Sequence, residues 1–202
     1  MKGFIWGVFL TIVAGIGVAL TVALTGRVSM RADVPPTQIE TDIAVRAMDA
    51  SVERNAPKVA NPLKADEPTL VAGAAIYRDH CAACHGDPVH PDSPLEDTLN
   101  PPAPQFMTDS ADMPDHHNFY ITQHGIRWTA MPGWKNALSE QQIWQVVTFL
   151  AHMDSLPPAA KQIFTDAQPG TFPFASPAAA ASPASAAEHK SAAKPTRRNP
   201  HK

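Results

Sequence analysis

Two cysteines and a histidine follow one another closely near the middle of the chain, as Cys81-Ala82-Ala83-Cys84-His85, and the 202 residues contain no other cysteine. On a helix or a tight turn, this spacing places both thiols on one side of the backbone. Each thiol can then add to a vinyl group of haem, and the adjacent imidazole can reach the iron. The motif therefore predicts one covalent haem c.

Three other uses of the same thiols have to be weighed. A thioredoxin-type redox pair belongs in a strand-helix-strand context, which the surrounding sequence lacks. A zinc site would need two further ligands, and His116, His117 and His124 are not suitably spaced for it. A disulfide between the two cysteines is compatible with an exported chain, but it leaves His85 without a role. Haem attachment accounts for all three motif residues.

The helix that leads into the motif is predicted from apolar spacing. It starts at about Thr69, a candidate N-cap. Its apolar residues recur at the spacing of one helical face and are Leu70, Gly73, Ala74 and Tyr77. The motif then follows directly at the end of this helix.

Two further helices, and no strand, are predicted downstream, up to residue 156. One follows Asp115 and ends at Gly125, where a left-handed residue would let the chain fold back. The other opens with a capping box of Ser139 and Gln142. The segment 86–119, about 34 residues rich in proline and aspartate, is longer than loops in a compact domain usually are. Three short helices alone make a poor core, so a group other than protein is expected to fill the centre.

The N-terminal segment from Phe4 to Leu24 has no charged side chain. A helix of this length, at about 1.5 Å per residue, can cross a bilayer core of about 30 Å. We predict a membrane anchor over residues 1–26; a cleaved signal peptide is the alternative. The charges of Lys2 on one side and of Arg27 and Arg31 on the other do not fix the orientation.

The segments that flank the predicted domain are interpreted as linkers. Residues 27–68 contain five prolines and predict a stalk, with room for one helix from Thr37 to Asn55; a disordered spacer is the alternative. The weak apolar stripe of that helix consists of Ile39, Ile43, Met48 and Val52. Residues 157–202 are predicted to be a disordered tail, rich in alanine and proline and basic near its end.

The predicted domain, residues 69–156, is acidic. It holds 3 basic and 10 acidic side chains, so its formal charge is 3 − 10 = −7. A nucleic-acid-binding domain would need a cationic face on its folded part. The charge therefore argues against nucleic acid as a partner.

At these residues the chain resembles class I c-type cytochromes. Residues 70–77 and the motif resemble the start of that family's domain, residues 125–132 resemble its methionine loop, and residues 144–150 resemble its C-terminal helix. The resemblance covers 69–156 and implies an all-α cytochrome c fold, three main helices around one haem, preceded by a single transmembrane helix. Bacterial monohaem cytochromes with an N-terminal anchor are the most similar type. They imply an inner-membrane protein whose haem domain faces the periplasm.

The resemblance also implies how one face of the iron is bound. Cys81 and Cys84 hold the porphyrin through thioethers, and His85 is the proximal ligand. The imidazole nitrogen that does not touch iron is expected to donate to a backbone carbonyl, which fixes its tautomer. By resemblance, that carbonyl belongs to Pro101 or Pro102.

For the sixth position of the iron, Met131 fits best. It lies in an irregular segment before the third helix, and Pro132 restricts its backbone to the extended region. Trp128 and Trp134 are expected to pack on the haem, and Arg127 to pair with a propionate; a core tryptophan and an exposed arginine are the plainer alternatives. The other candidate ligands are Met107, Met113, Met153 and several histidines.

An iron with both axial positions filled has no site for oxygen or for a small-molecule substrate. We therefore expect a one-electron carrier rather than an enzyme, with redox proteins as donor and acceptor. The soft thioether favours ferrous iron, which suits a respiratory chain. A cytochrome subunit of a membrane or periplasmic oxidoreductase is the alternative, and a haem enzyme or gas sensor is the third candidate if Met131 does not bind.

Overall fold

The computed structural model describes residues 2–166; the predicted tail from residue 167 onward lies outside the described residues. Residues 2–166 contain seven α-helices, two short 3-10 turns and no strand, which confirms the expected all-α class. The helices are α1 (Lys2–Leu24), α2 (Gln38–Asn55), α3 (Glu67–His80), α4 (Ala82–His85), α5 (Asp115–His124), α6 (Glu140–Ala151) and α7 (Pro158–Thr165). The 3-10 turns are Glu96–Thr98 and Met153–Ser155.

The core lies where α3 crosses α6 and α7, and α6 also packs against α5. Gly73 lies at the crossing of α3 and α6. A Cβ atom on Gly73 would lie 2.6 Å from the Cβ of Phe149, so only glycine allows the two backbones this approach. The crossing fixes the direction in which α3 delivers the haem motif.

Helix α3 begins at Glu67, so its N-cap lies three residues earlier than predicted. Its N-cap is Asp66, whose carboxylate accepts a hydrogen bond from the backbone N–H of Thr69 at 3.1 Å. The hydrogen bonds from Thr69 lower the pKa of Asp66. Pro68, in the first turn, has no N–H that would need a partner. The prediction of Thr69 as N-cap was therefore wrong, because apolar periodicity cannot detect a polar first turn.

The capping box predicted for the third domain helix is present in α6. The Ser139 hydroxyl accepts from the N–H of Gln142 at 3.3 Å, and the Gln142 side chain accepts from the N–H of Ser139 at 2.9 Å. Helix α6 ends at Ala151, and a 3-10 turn continues the chain to Ser155.

The domain extends further toward the C-terminus than residue 156. Helix α7 covers eight residues that we had assigned to the tail, and it buries Ala160 and Phe164 against α3. The ring centroid of Phe164 lies 5.2 Å from that of Phe149 and 5.6 Å from that of Tyr77. The composition of the whole segment hid this short helix, because its alanines and prolines resemble those of the tail.

The helix predicted between Thr37 and Asn55 is present as α2 and opens with a capping box of Thr37 and Glu40. Val52 is buried and α2 packs against α5, whereas Ile39 and Ile43 are 73% and 65% exposed. The predicted stripe therefore does not form one face. Ile39 and Met48 are nine residues apart, about two and a half turns, and so lie on opposite sides of the helix.

The connection from α2 to α3 is tied to the domain by Asn61. Its amide nitrogen donates to the carboxylate of Asp115 and to the hydroxyl of Thr148, both at 2.9 Å. Its amide oxygen accepts from the N–H of Leu63 at 3.0 Å. Residues 38–66 thus form part of the folded unit, which the stalk and spacer interpretations both missed.

Helix α1 has 23 residues, none of them buried, and is long and apolar enough to span a membrane. This agrees with the predicted apolar N-terminal helix.

Candidate haem site

The two cysteines and the histidine lie at the junction of α3 and the short helix α4. The N–H of Cys81 donates to the carbonyl of Tyr77 at 2.8 Å, which continues the hydrogen bonding of α3. The N–H groups of Cys84 and His85 both donate to the carbonyl of Cys81 at 3.0 Å. One tight turn therefore presents all three side chains, and the thiols are not joined by a disulfide.

The surroundings of both thiols disfavour the thiolate form. Burial raises the pKa of Cys81 to about 12, with a further contribution from Cys84. Burial also raises the pKa of Cys84. Activated redox cysteines show the opposite shift. A zinc site is not supported either, because residues 2–166 contain no group of three or more His, Cys, Asp or Glu side chains that could hold a metal ion.

The imidazole of His85 is oriented by a backbone carbonyl. Its Nδ1 lies 2.9 Å from the carbonyl oxygen of Pro104. A carbonyl only accepts, so Nδ1 carries the proton and Nε2 keeps its lone pair. Burial lowers the pKa of His85, partly opposed by this hydrogen bond, and so favours the neutral ring. A neutral imidazole with a bare Nε2 is the form that binds iron, so the residues present fit a haem.

The acceptor for His85 is not the one expected. We predicted the carbonyl of Pro101 or Pro102, and the structure places the bond at Pro104, further along the same proline-rich run. The next residue, Gln105, explains this difference, because it is buried. Its amide nitrogen donates to the carbonyls of Cys84 at 3.0 Å and of Ala103 at 2.8 Å. Gln105 thereby sets the register of the run against the motif.

The long loop between the motif and α5 supplies hydrogen-bond donors to the end of α4. The Ser93 hydroxyl donates to the carbonyl of Ala83 at 2.5 Å, and the N–H of Phe106 donates to that of His85 at 3.1 Å. The Gln105 amide oxygen in turn accepts from the N–H of Ser93 at 2.7 Å. The carbonyls at a helix C-terminus have no partner within the helix. This loop supplies hydrogen-bond donors to those carbonyls, which is a structural reason for its length.

The aromatic residue after Gln105 packs on the imidazole itself. The rings of Phe106 and His85 are stacked, with centroids 4.6 Å apart and an interplanar angle of 7°. We did not predict a role for Ser93, Gln105 or Phe106. No periodic or motif signal marks them; a glutamine and a phenylalanine after a proline run are the only local cue.

Met131 lies in a loop that is closed on itself between α5 and α6. The N–H of Ile126 donates to the carbonyl of Met131 at 3.1 Å, and the N–H of Trp134 donates to that of Thr122 at 3.0 Å. Gly125 has a φ of +69°, and a Cβ there would lie 2.6 Å from the Met131 oxygen. Met131 is half-buried in this loop. The predicted glycine stop of α5 is confirmed.

The neighbours of Met131 differ in their surroundings. Trp128 has a φ of +60° and is 89% exposed, and the Arg127 guanidinium lies 5.8 Å from its ring centroid. The ring of Trp134 is half-buried, 5.1 Å from that of His80. Among these three, the structure brings only Trp134 against the protein core. The roles of Trp128 and Arg127 toward haem stay predictions.

Comparison with known proteins gives one match. Residues 68–150 match the family model described as cytochrome C oxidase, cbb3-type, subunit III. No curated protein and no solved structure matches the chain. The matched range begins at the first turn of α3 and ends in α6, and it includes both cysteines, His85 and Met131.

Proposed function

We propose that the protein is a membrane-anchored, periplasmic monohaem cytochrome, with residues 68–150 as a class I c-type cytochrome domain that binds covalent haem c. It would carry single electrons in a respiratory chain. The observation that carries the proposal is the hydrogen bond from His85 Nδ1 to the Pro104 carbonyl, beside two thiols that are not in a disulfide. The bound group supplies an iron that changes its charge by one electron.

Each residue of the site has a stated task in this proposal. Cys81 and Cys84 hold the porphyrin covalently, so the cofactor cannot dissociate when a partner docks. His85 would bind iron through Nε2, and the Pro104 carbonyl keeps the ring in that tautomer. Met131 would be the second protein ligand of the iron, through its sulfur. Two protein ligands would exclude a substrate from the metal, which would leave electron transfer as the reaction.

The charge of the domain bears on the kind of redox partner. A formal charge of −7 over residues 69–156 favours a basic or largely apolar docking site on the donor and the acceptor. Redox encounters of this kind bury less than about 1,200 Å², which favours fast release. If opposite charges steer the encounter, added salt slows the electron transfer.

The proposed location is the inner membrane, crossed once by α1, with the haem domain in the periplasm. The length and apolar character of α1 support an anchor. In the family that the chain resembles, haem is attached outside the cytoplasm, which favours a cytoplasmic N-terminus. The contact of α2 with α5 supports a short tether between α1 and the domain, since the chain already packs on the domain at α2.

A second function is favoured by the description of the matched family model, which names a subunit of a cbb3-type oxidase. In that case the domain would pass electrons to a neighbouring catalytic chain rather than shuttle between partners. An N-terminal anchor and an acidic haem domain suit both functions.

The covalent haem is tested on the full-length protein purified in detergent. We expect the denatured polypeptide to have the mass of its residues plus one haem, and to keep its absorption band after denaturation. The double variant Cys81→Ala, Cys84→Ala is the control and should lack both. A wild-type mass equal to that of the polypeptide alone would overturn the proposal.

A separate experiment distinguishes the carrier from the subunit. Membranes are solubilised in mild detergent and separated by size, and the covalent haem of this chain is followed. Elution at the size of the chain alone supports a carrier. Elution together with a larger catalytic chain supports the oxidase subunit and contradicts the shuttle.

A further inference from the structure

The imidazole of His85 has an aromatic ring stacked on its face. Phe106 lies parallel to it, with an interplanar angle of 7° and a centroid distance of 4.6 Å. The backbone N–H of Phe106 also donates to the carbonyl of His85 at 3.1 Å. One residue therefore contacts both the backbone and the side chain of the predicted iron ligand.

The stacking restrains a motion that the hydrogen bond leaves free. The bond from Nδ1 to the Pro104 carbonyl fixes one atom of the ring, and hydrogen bonds to carbonyl oxygens accept a broad range of directions. The ring can therefore still tilt about that contact. A flat neighbour at van der Waals distance selects one plane. The two contacts together fix both the tautomer and the plane of the ring.

Phe106 is itself held by the core. Its ring centroid lies 6.5 Å from that of Tyr77, at an angle of 51°. Tyr77 is fully buried, and its hydroxyl donates to the carbonyl of Gly86 at 2.8 Å. Tyr77 is also packed between Phe149 and Phe164. The Phe106 ring therefore has an aromatic neighbour in the core besides the imidazole.

We propose that Phe106 is a positioning residue that fixes the rotation of the His85 imidazole about its bond to iron. The proposal rests on the proposed function, since it takes His85 as an iron ligand. Groups beyond the ligands orient them and tune the metal. The plane of an axial imidazole decides how unpaired spin in the ferric state is distributed over the porphyrin. A change in that plane therefore has a spectroscopic signature that a loss of packing alone does not have.

The test uses substitutions of Phe106 in the full-length, haem-loaded protein. Phe106→Leu and Phe106→Met keep an apolar side chain but remove the flat face; Phe106→Tyr keeps the face. The readouts are the proton NMR shifts of the four haem methyl groups in the ferric state and the midpoint potential. We expect the leucine and methionine variants to redistribute the methyl shifts and move the potential. The tyrosine variant should retain the wild-type pattern.

The matched control is Phe164→Leu. Phe164 also packs on Tyr77, but no ring contact joins it to His85. It should lower the thermal stability while the methyl shifts stay as in the wild type. The proposal is overturned if the leucine and methionine variants keep the wild-type shifts, or if Phe164→Leu changes them equally. A wild-type protein without covalent haem or without histidine ligation would instead contradict the proposed function.

Discussion

The ring of Phe164 meets the ring of Tyr77 edge-on, at a centroid distance of 5.6 Å and an angle of 79°. Tyr77 lies one turn before Cys81 on α3, and its hydroxyl donates to the carbonyl of Gly86 just after the motif. Through this contact, helix α7 supports the helix that carries the haem motif. This contact connects a segment outside the predicted domain with the site.

Substitution of Phe164 tests that support. Phe164→Ala should lower the free energy of unfolding by about 3–5 kcal/mol, because it leaves a cavity beside two aromatic rings. Denaturant unfolding of the haem-loaded protein measures it. Lys161→Ala, on the exposed side of α7, is the control and should have little effect. Equal stability of the two variants would show that α7 does not brace the core.

The crossing of α3 and α6 gives a second prediction. Gly73→Ala places a methyl group against the backbone of Gln145 and the Cβ of Phe149, so we expect a loss of about 1–3 kcal/mol in unfolding free energy. The same substitution at Gly15 of α1, where no atom beyond the adjoining backbone of the helix lies within 4 Å of the added methyl, should leave the unfolding of the domain unchanged. A Gly73→Ala protein as stable as the wild type would contradict the close crossing.

The buried amide that sets the register of the proline run gives a third prediction. Gln105→Ala leaves the N–H of Ser93 and the carbonyls of Cys84 and Ala103 without their partner. We expect the free energy of unfolding to fall by about 1–3 kcal/mol. Thr98→Ala, which removes an exposed hydroxyl in the same loop, serves as the control. If both substitutions have the same small effect, Gln105 does not hold the proline run in place.

Substitution of Met131, the predicted sixth ligand, tests the coordination of the iron rather than the stability of the fold. Met131→Ala should abolish the methionine-to-ferric-iron absorption band and lower the midpoint potential, because a soft, neutral ligand that favours ferrous iron is lost. Met107→Ala, in the partly buried shell of the core, should keep the band. Optical spectroscopy and redox titration measure both effects. An unchanged spectrum for Met131→Ala would indicate another sixth ligand or an open site.

The contact of α2 with α5 gives a dependence of stability on pH. Burial lowers the pKa of His117 and its neighbour His116 lowers it further, and together they outweigh the opposing effects of Glu53, at 3.3 Å, and of Asp49. The folded state therefore binds a proton less readily than the unfolded chain, whose histidines have a pKa of about 6.5. The stabilising contribution is present above that pH and is lost as the pH falls from it toward the lower folded pKa.

His117→Gln should accordingly reduce the loss of stability between pH 7 and pH 5. Denaturant unfolding at several pH values compares the two slopes. The control is His124→Gln, at the exposed end of α5. If the His117 variant loses stability on acidification as steeply as the wild type, the proton linkage does not lie at this interface.

Part of the fold and of the site could be predicted because the signals are local. The motif from Cys81 to His85 is contiguous, and the capping box of Ser139 and the stop at Gly125 each depend on a few neighbouring residues. The covalent haem, the all-α class and the helices downstream of the motif were recognised in this way. Helix α7 was missed because it has few apolar residues. Their role in the core is visible only from their packing against Tyr77 and Phe149.

The sequence by itself determined the haem attachment motif, since the spacing of the two thiols and the adjacent imidazole is fixed by the order of residues along the chain. Only the tertiary structure decided that the Pro104 carbonyl receives Nδ1 of His85, that Gln105 sets this register and that Phe106 stacks on the ring. These contacts join residues about twenty positions apart through an irregular loop. Such a loop has no repeating pattern, so its path depends on the buried polar groups that it must satisfy.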